Sequence, residues 1–217
     1  IIGRNAETLA SAREEIGGDC IAIAADLGKM DELRRAFAEV RAAMDSIHAL
    51  FANAGTGAII PFAEMTEELL DQIVSLNIKG TFFTVQECLP LMGEGSAIVL
   101  CSSVSAVRPM AGASVYSLTK AAINSLGRNL ACELVGHGIR VNVVMPGGVD
   151  TPIMTRTPGV PPQAASAVFD QIGAGTPMGR IAQPSEIATA VLFLCSDEAS
   201  FITGTEFPVD GGVIGAT

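Results

Sequence analysis

The chain has no tryptophan, one tyrosine, two histidines and only three lysines in 217 residues. These shortages exclude a good deal. His48 and His137 stand at no metal-ligand spacing, and His137 lies between two glycines, so both read as structural and no metal site is expected. The five cysteines, Cys20, Cys88, Cys101, Cys132 and Cys195, are odd in number and scattered, with no Cys-x-x-Cys among them. That pattern fits neither a disulfide framework nor a zinc or dithiol site. They read as free thiols, most of them small buried hydrophobes, in a chain kept in a reducing, cytoplasmic compartment. No apolar run reaches membrane-spanning length and no signal-peptide pattern opens the given residues.

Positive charge is also scarce. Thirteen Lys and Arg face 23 Asp and Glu, a formal net charge of −10. Such a surface repels phosphate backbones and anionic lipid, so nucleic acid and membrane are excluded as expected partners. It argues more weakly against an acidic carrier protein, because a local basic patch can reverse it.

Nearly half the residues are apolar and 17% are charged, the composition of a compact domain with a sizeable core. Residues 20–24, 49–52, 97–101, 140–145 and 205–209 are rich in Ile, Val and Ala. They run almost continuously apolar, as strands buried on both faces do. Helical spacing fills the intervals. Leu33, Phe37, Val40 and Met44 recur along 31–44; 67–74 and 81–91 read as two helices broken near 77–80; 115–135 and 186–195 are further helices. Strands alternating with helices imply a doubly wound α/β domain on a parallel sheet. The irregular stretch 147–179, rich in Pro, Gly and Thr with one short helix near 163–172, reads as a substrate loop.

Polar residues follow the apolar strands directly: Asp26, Asn53-Ala54-Gly55, Ser102-Ser103 and Pro146-Gly147. In an open parallel sheet the ligand crevice lies beyond the carboxyl ends of the strands, so these four points converge on one site.

Tyr116 and Lys120 are four apart on a helix and therefore share a face. An ammonium beside a phenol favours the phenolate, and a tyrosine so placed can give a proton to a carbonyl or take one from an alcohol. With three lysines in the chain, chance sets a Lys at that offset about one time in seventy. Ser103, at a strand end, is positioned to hydrogen-bond the same oxygen. Taken alone, Asn77 reads as a helix cap or bend filler, Asp26 equally as the cap of the next helix, and Gly55 and Gly147 as turn residues. Met110, Met154 and Met178 are either pocket lining or gap fillers.

Together these residues resemble the short-chain dehydrogenase/reductase family in its ordinary-length, one-domain form. Asn53-Ala54-Gly55 is similar to the family's Asn-Ala-Gly segment, and Asn77-Ile78-Lys79-Gly80 to the segment with its catalytic Asn. Ser103 precedes Tyr116 by the family's thirteen residues, and Pro146-Gly147 with Val149 and Thr151 resembles the nicotinamide-side motif. Gly179-Arg180 to Pro184, and Gly204-Thr205 to Asp210-Gly211-Gly212, resemble the C-terminal signature.

The resemblance implies a Rossmann-like fold over 1–217 and an NAD(P)(H)-dependent oxidoreductase interconverting an alcohol and a ketone or aldehyde. In it Tyr116 is the general acid/base. Lys120 favours its phenolate and binds the nicotinamide ribose, Ser103 orients the carbonyl, and Asn77 holds a water in a relay leading through Lys120. Asp26 and the Leu27 backbone contact adenine, and Asn53, Ala54 and Gly55 lie beside the cofactor. Arg4 follows the strand where NAD-preferring members carry an acid; Gly3 holds that position here, so NADP(H) is favoured over NAD(H). The family is commonly tetrameric or dimeric, so a homo-oligomer is expected. Members open with a strand and a Gly-rich, pyrophosphate-binding turn that no residue here supplies, and the expectation is a longer natural chain. Two alternatives stand: a 3-oxoacyl thioester reductase, and a catalytically silent nucleotide-binding scaffold of the same fold.

Overall fold

The computed structural model describes residues 1–215. Two parallel sheets run through it: β1 (Ile2–Gly3) with β2 (Ile23–Ala24), and β3 (Ala49–Ala52), β4 (Ala97–Cys101), β5 (Arg140–Pro146) and β6 (Glu206–Val209) in that order. Register in the larger sheet aligns Ala49 with Ala97 and Ala97 with Arg140. The expected strand over 20–24 shrinks to Ile23–Ala24, because its partner β1 offers only a two-residue ladder.

The continuous apolar runs have a direct cause. In β4, Ile98 and Leu100 pack towards α5 (Ser114–Leu134) with Ile123, Ala131 and Leu134, while Val99 packs towards α7 (Pro184–Cys195) with Ile187, Val191 and Leu194. In β5, Val141, Val143 and Met145 take the first face and Val144 the second. Both sides of each strand leave water, as the period of two demands in a sheet covered on both faces. Gly127 lets α5 lie close to the sheet, since a Cβ there would come within 2.3 Å of Val143 Cγ2.

The helix α2 (Met30–Ala43) packs Leu33 and Phe37 inward, but Met44 falls just past its end and is exposed. The expected break near 77–80 is instead a π-helical turn, Ser75–Gly80, joining α3 (Glu67–Val74) to α4 (Thr81–Cys88) without interruption. Gly80 sits inside it for steric reasons, as a Cβ would lie 2.8 Å from the Leu27 carbonyl oxygen. The helix α1 (Ala6–Ile16) was not anticipated, because it buries Leu9 alone and carries no apolar stripe. Its signals were at the ends: Asn5 Oδ1 accepts the Thr8 N–H at 2.9 Å, and Gly17 takes a φ of +68°.

Asp26 does not cap α2. Its Oδ1 accepts the Gly28 N–H at 2.9 Å in a local turn, and Lys29 occupies the cap position without a side-chain bond. The thiols also depart from expectation: all five are free, but only Cys88 is buried, and Cys132 is exposed. Burial pushes the Cys88 thiol up to about 12.

The stretch 147–179 is closed at its neck, where Ala182 N–H donates to Gly148 O and Asp150 N–H to Ala182 O, both at 2.8 Å. It holds the helix α6 (Ala165–Ala174). No helix among the described residues is long and apolar enough to cross a membrane.

Candidate active site

A cavity of about 410 Å³ opens beyond the carboxyl ends of β3, β4 and β5. Ser103, Tyr116 and Lys120 line it together, from a strand end and from one face of α5. Asn53, Gly55, Pro146, Gly147, Val149 and Thr151 line it as well.

Lys120 is 5% exposed and no carboxylate pairs with it among the described residues. A buried cation without a counter-ion is costly, so its presence points to chemistry and not to packing. Its Nζ donates to the Cys101 carbonyl at 2.7 Å and lies 5.7 Å from the centroid of the Tyr116 ring. Ser102 Oγ donates in turn to the Lys120 carbonyl at 2.9 Å, stitching the helix to the end of β4. One of the three ammonium hydrogens is thus used within the protein, and two remain for a ligand.

Ser103 Oγ accepts the Ser105 N–H at 3.2 Å and stands 3.3 Å from Ser105 Oγ, so a short 3-10 turn orients the hydroxyl. Tyr116 Oη has no hydrogen-bond partner among the described residues. Gly57 lies against its ring, where a Cβ would come within 3.0 Å of Cδ2.

Asn77 is 1% exposed and stands behind the cavity wall. Its Oδ1 accepts the Thr56 N–H at 2.8 Å, and its Nδ2 donates to Thr56 O at 2.8 Å and to Thr119 Oγ1 at 2.9 Å. It is neither a helix cap nor a bend filler but a brace for the segment after β3. Gly55 and Gly147 are not left-handed turn residues; both answer to close approach. A Cβ on Gly55 would lie 3.3 Å from Lys120 Nζ, and one on Gly147 would lie 3.0 Å from Asp210 Cα.

Other anticipated residues stand apart from the cavity. Arg4 is exposed between β1 and α1, Asp26 and Leu27 follow β2, and Ala54 is exposed beside the lining residues Asn53 and Gly55. Met110 and Met154 line the cavity, whereas Met178 is 65% exposed elsewhere. Gly57, Ala58 and Ile59 also line it and were not anticipated; small and apolar residues carry no chemical signature, and only their place after Asn53-Ala54-Gly55 hinted at them.

An open parallel sheet with a tyrosine, a buried lysine and a serine gathered at its carboxyl edge is the arrangement of an oxidoreductase of the nicotinamide-using kind. The donor set suits the nicotinamide riboside end of such a cofactor: exposed residues at 53–55, two ammonium hydrogens of Lys120 left over from its bond to Cys101 O, and the turn at 146–151, all on one cavity.

Comparison with known proteins agrees. A family model described as enoyl-(acyl carrier protein) reductase matches residues 2–214. The oxidoreductase asL5 of Sarocladium schorii is 35% identical over 215 residues, covering 98% of this chain and 84% of that protein. The 2,5-dichloro-2,5-cyclohexadiene-1,4-diol dehydrogenase LinX of Sphingobium indicum is 36% identical over 202 residues, covering 90% and 76%. The crystal structure of levodione reductase superposes with a TM-score of 0.89 at 27% identity, covering all of this chain and 87% of that one. The chain belongs to the short-chain dehydrogenase/reductase family, with its Rossmann fold and nicotinamide nucleotide chemistry. It is an oxidoreductase of alcohol and ketone groups, and the silent-scaffold alternative is set aside.

Proposed function

We propose that Tyr116 is the general acid/base of an alcohol–ketone interconversion, supported by Ser103, Lys120 and Asn77. The observation that carries this reading is the buried, uncountered Lys120 ammonium, 5.7 Å from the Tyr116 ring in a cavity shared with Ser103. A nicotinamide held there would supply the hydride chemistry at the substrate carbon. Tyr116 Oη, unpartnered among the described residues, gives its proton to the carbonyl oxygen in reduction and takes it back in oxidation. Ser103 Oγ donates to the same oxygen, and Lys120 holds positive charge beside the phenolate and donates to a ribose hydroxyl. Asn77 holds a water in a proton relay that leads towards Lys120.

The rest of the reading is of one nicotinamide-binding oxidoreductase domain, with 147–179 as its substrate loop. Asn53, Ala54, Gly55, Pro146, Gly147, Val149 and Thr151 flank the nicotinamide half of the cofactor, and Asp26 and the Leu27 backbone its adenine. NADP(H) is favoured over NAD(H), because the exposed Arg4 guanidinium follows β1 directly and suits a 2′-phosphate. A cytoplasmic homo-oligomer, tetramer or dimer, suits the free thiols and the exposed Leu118, Leu192 and Phe201. The thioester alternative has support in the description of the family model, but among the described residues no basic side chain except Lys120 lines the cavity to receive a phosphorylated carrier arm.

The test is turnover with a ketone and either cofactor. Tyr116→Phe should lose about 10³-fold in kcat while binding cofactor as before, and Arg4→Glu should weaken NADPH more than NADH. Equal turnover by the Tyr116→Phe enzyme overturns the acid/base assignment.

A further inference from the structure

Ile59, Val104, Met110, Met154, Phe169 and Ile172 supply much of the apolar wall of the cavity. Among the described residues, Lys120 is the only charged side chain in the lining and Asn53 the only amide. Several of the lining hydroxyls are turned to the protein itself. Thr157 Oγ1 donates to Ile153 O at 2.9 Å, Ser102 Oγ to Lys120 O at 2.9 Å, and Ser105 is engaged with Ser103. Beyond the reacting centre, then, the wall has few polar groups to pair with a substrate carboxylate, phosphate or row of hydroxyls. A polar substrate group buried there without a partner loses its hydration for nothing in return.

The wall is also fastened. Ile59 N–H donates to Pro158 O and Ile60 N–H to Gly112 O, both at 2.9 Å, so residues 57–60, 110–113 and 157–160 meet in one seam. Gly159, at a φ of +85°, lies so close that a Cβ would fall 1.8 Å from Ile59 O. The cavity of about 410 Å³ is towards the small end of the roughly 300–1,000 Å³ of ligand pockets. The nicotinamide takes part of that volume, and what remains suits a ring-sized molecule.

Building on the acid/base reading above, we propose that the substrate is an uncharged, mainly hydrocarbon ketone of alicyclic size, with its secondary alcohol as the other member of the pair. In reduction a hydride is added to the carbonyl carbon and the Tyr116 proton to its oxygen, so the alcohol leaves and the cofactor is oxidised. Polyols and thioester-bound acyl chains are poor substrates because the apolar wall leaves their hydroxyls and phosphates unpaired.

The purified protein is assayed with NADPH and with NADH on 4-methylcyclohexanone and acetoacetyl-CoA, and in the oxidising direction on 4-methylcyclohexanol, ribitol and glucose. The expected result is a kcat/KM for the alicyclic pair on the order of 100-fold above every polyol and the thioester. Met154→Asp should raise KM for 4-methylcyclohexanone at least tenfold with cofactor affinity unchanged, and Met154→Leu should not. Tyr116-dependent turnover that favours a polyol or the thioester overturns the substrate class and leaves the acid/base reading standing. Turnover that Tyr116→Phe retains overturns the acid/base reading. No turnover of any compound overturns both.

Discussion

The carboxamide of Asn77 grips both backbone polar atoms of Thr56, accepting its N–H and donating to its carbonyl, each at 2.8 Å. The second amide hydrogen goes to Thr119 Oγ1, which itself donates to the Tyr116 carbonyl at 2.8 Å. One buried amide thus ties the cavity segment after β3 to the turn of α5 that carries Tyr116. Thr119→Val keeps the shape and leaves an Asn77 N–H without a partner, a cost of about 1–3 kcal/mol. Chemical denaturation should show that loss. Turnover should fall by about tenfold, since reacting groups displaced by less than 1 Å already lose rate, and Thr119→Ser should recover most of both.

At Gly159 a side chain is excluded twice, by the positive φ and by the Ile59 carbonyl. Gly159→Ala should therefore open the seam over the cavity. The expected outcome is a rise in substrate KM with cofactor affinity preserved, and faster proteolysis within 147–179. An unchanged KM would show that the seam does not shape the site.

Glu186 caps α7, accepting the Gln183 N–H at 2.8 Å, and pairs with Arg180 at 2.7 Å. The Arg180 guanidinium, followed by the Gln183 N–H, holds its carboxyl down at about 2. A carboxylate depressed in the folded state stabilises above its ordinary value of 4.5 and loses that contribution as pH falls towards 2. The difference in thermal midpoint between the natural protein and Glu186→Gln should hold constant above pH 5 and shrink below about 4.5. A difference that grows on acidification would contradict the sign.

Thiol reactivity should follow exposure. Cys132 is exposed on α5, whereas Cys88 is buried with its thiol pushed up to about 12. Iodoacetamide at neutral pH should label Cys132 in the native protein and reach Cys88 only after unfolding, as peptide mass mapping can show.

Much of the fold was readable because burial leaves a local trace. The strand β4 carries the expected bounds because residues covered on both faces must be apolar at every position, and Glu67–Val74 because its Thr66 cap and apolar face agree. The helix α1 escaped because it buries one residue, and the continuity through Ser75–Gly80 because a glycine held by a distant carbonyl looks locally like a break.

By itself the sequence determined the alternation of strands and helices, the strand ends that bear Asn53, Ser103 and Pro146, and the shared helical face of Tyr116 and Lys120. These follow from periods of two and 3.6 residues, which any short stretch contains. Only the tertiary structure decided that Asn77 braces Thr56, that Lys120 is buried without a counter-ion, and that Ile59, Pro158 and Gly112 close an apolar wall. Those contacts join residues far apart in the chain, and their partners are chosen by loop closure and packing, which no local pattern records.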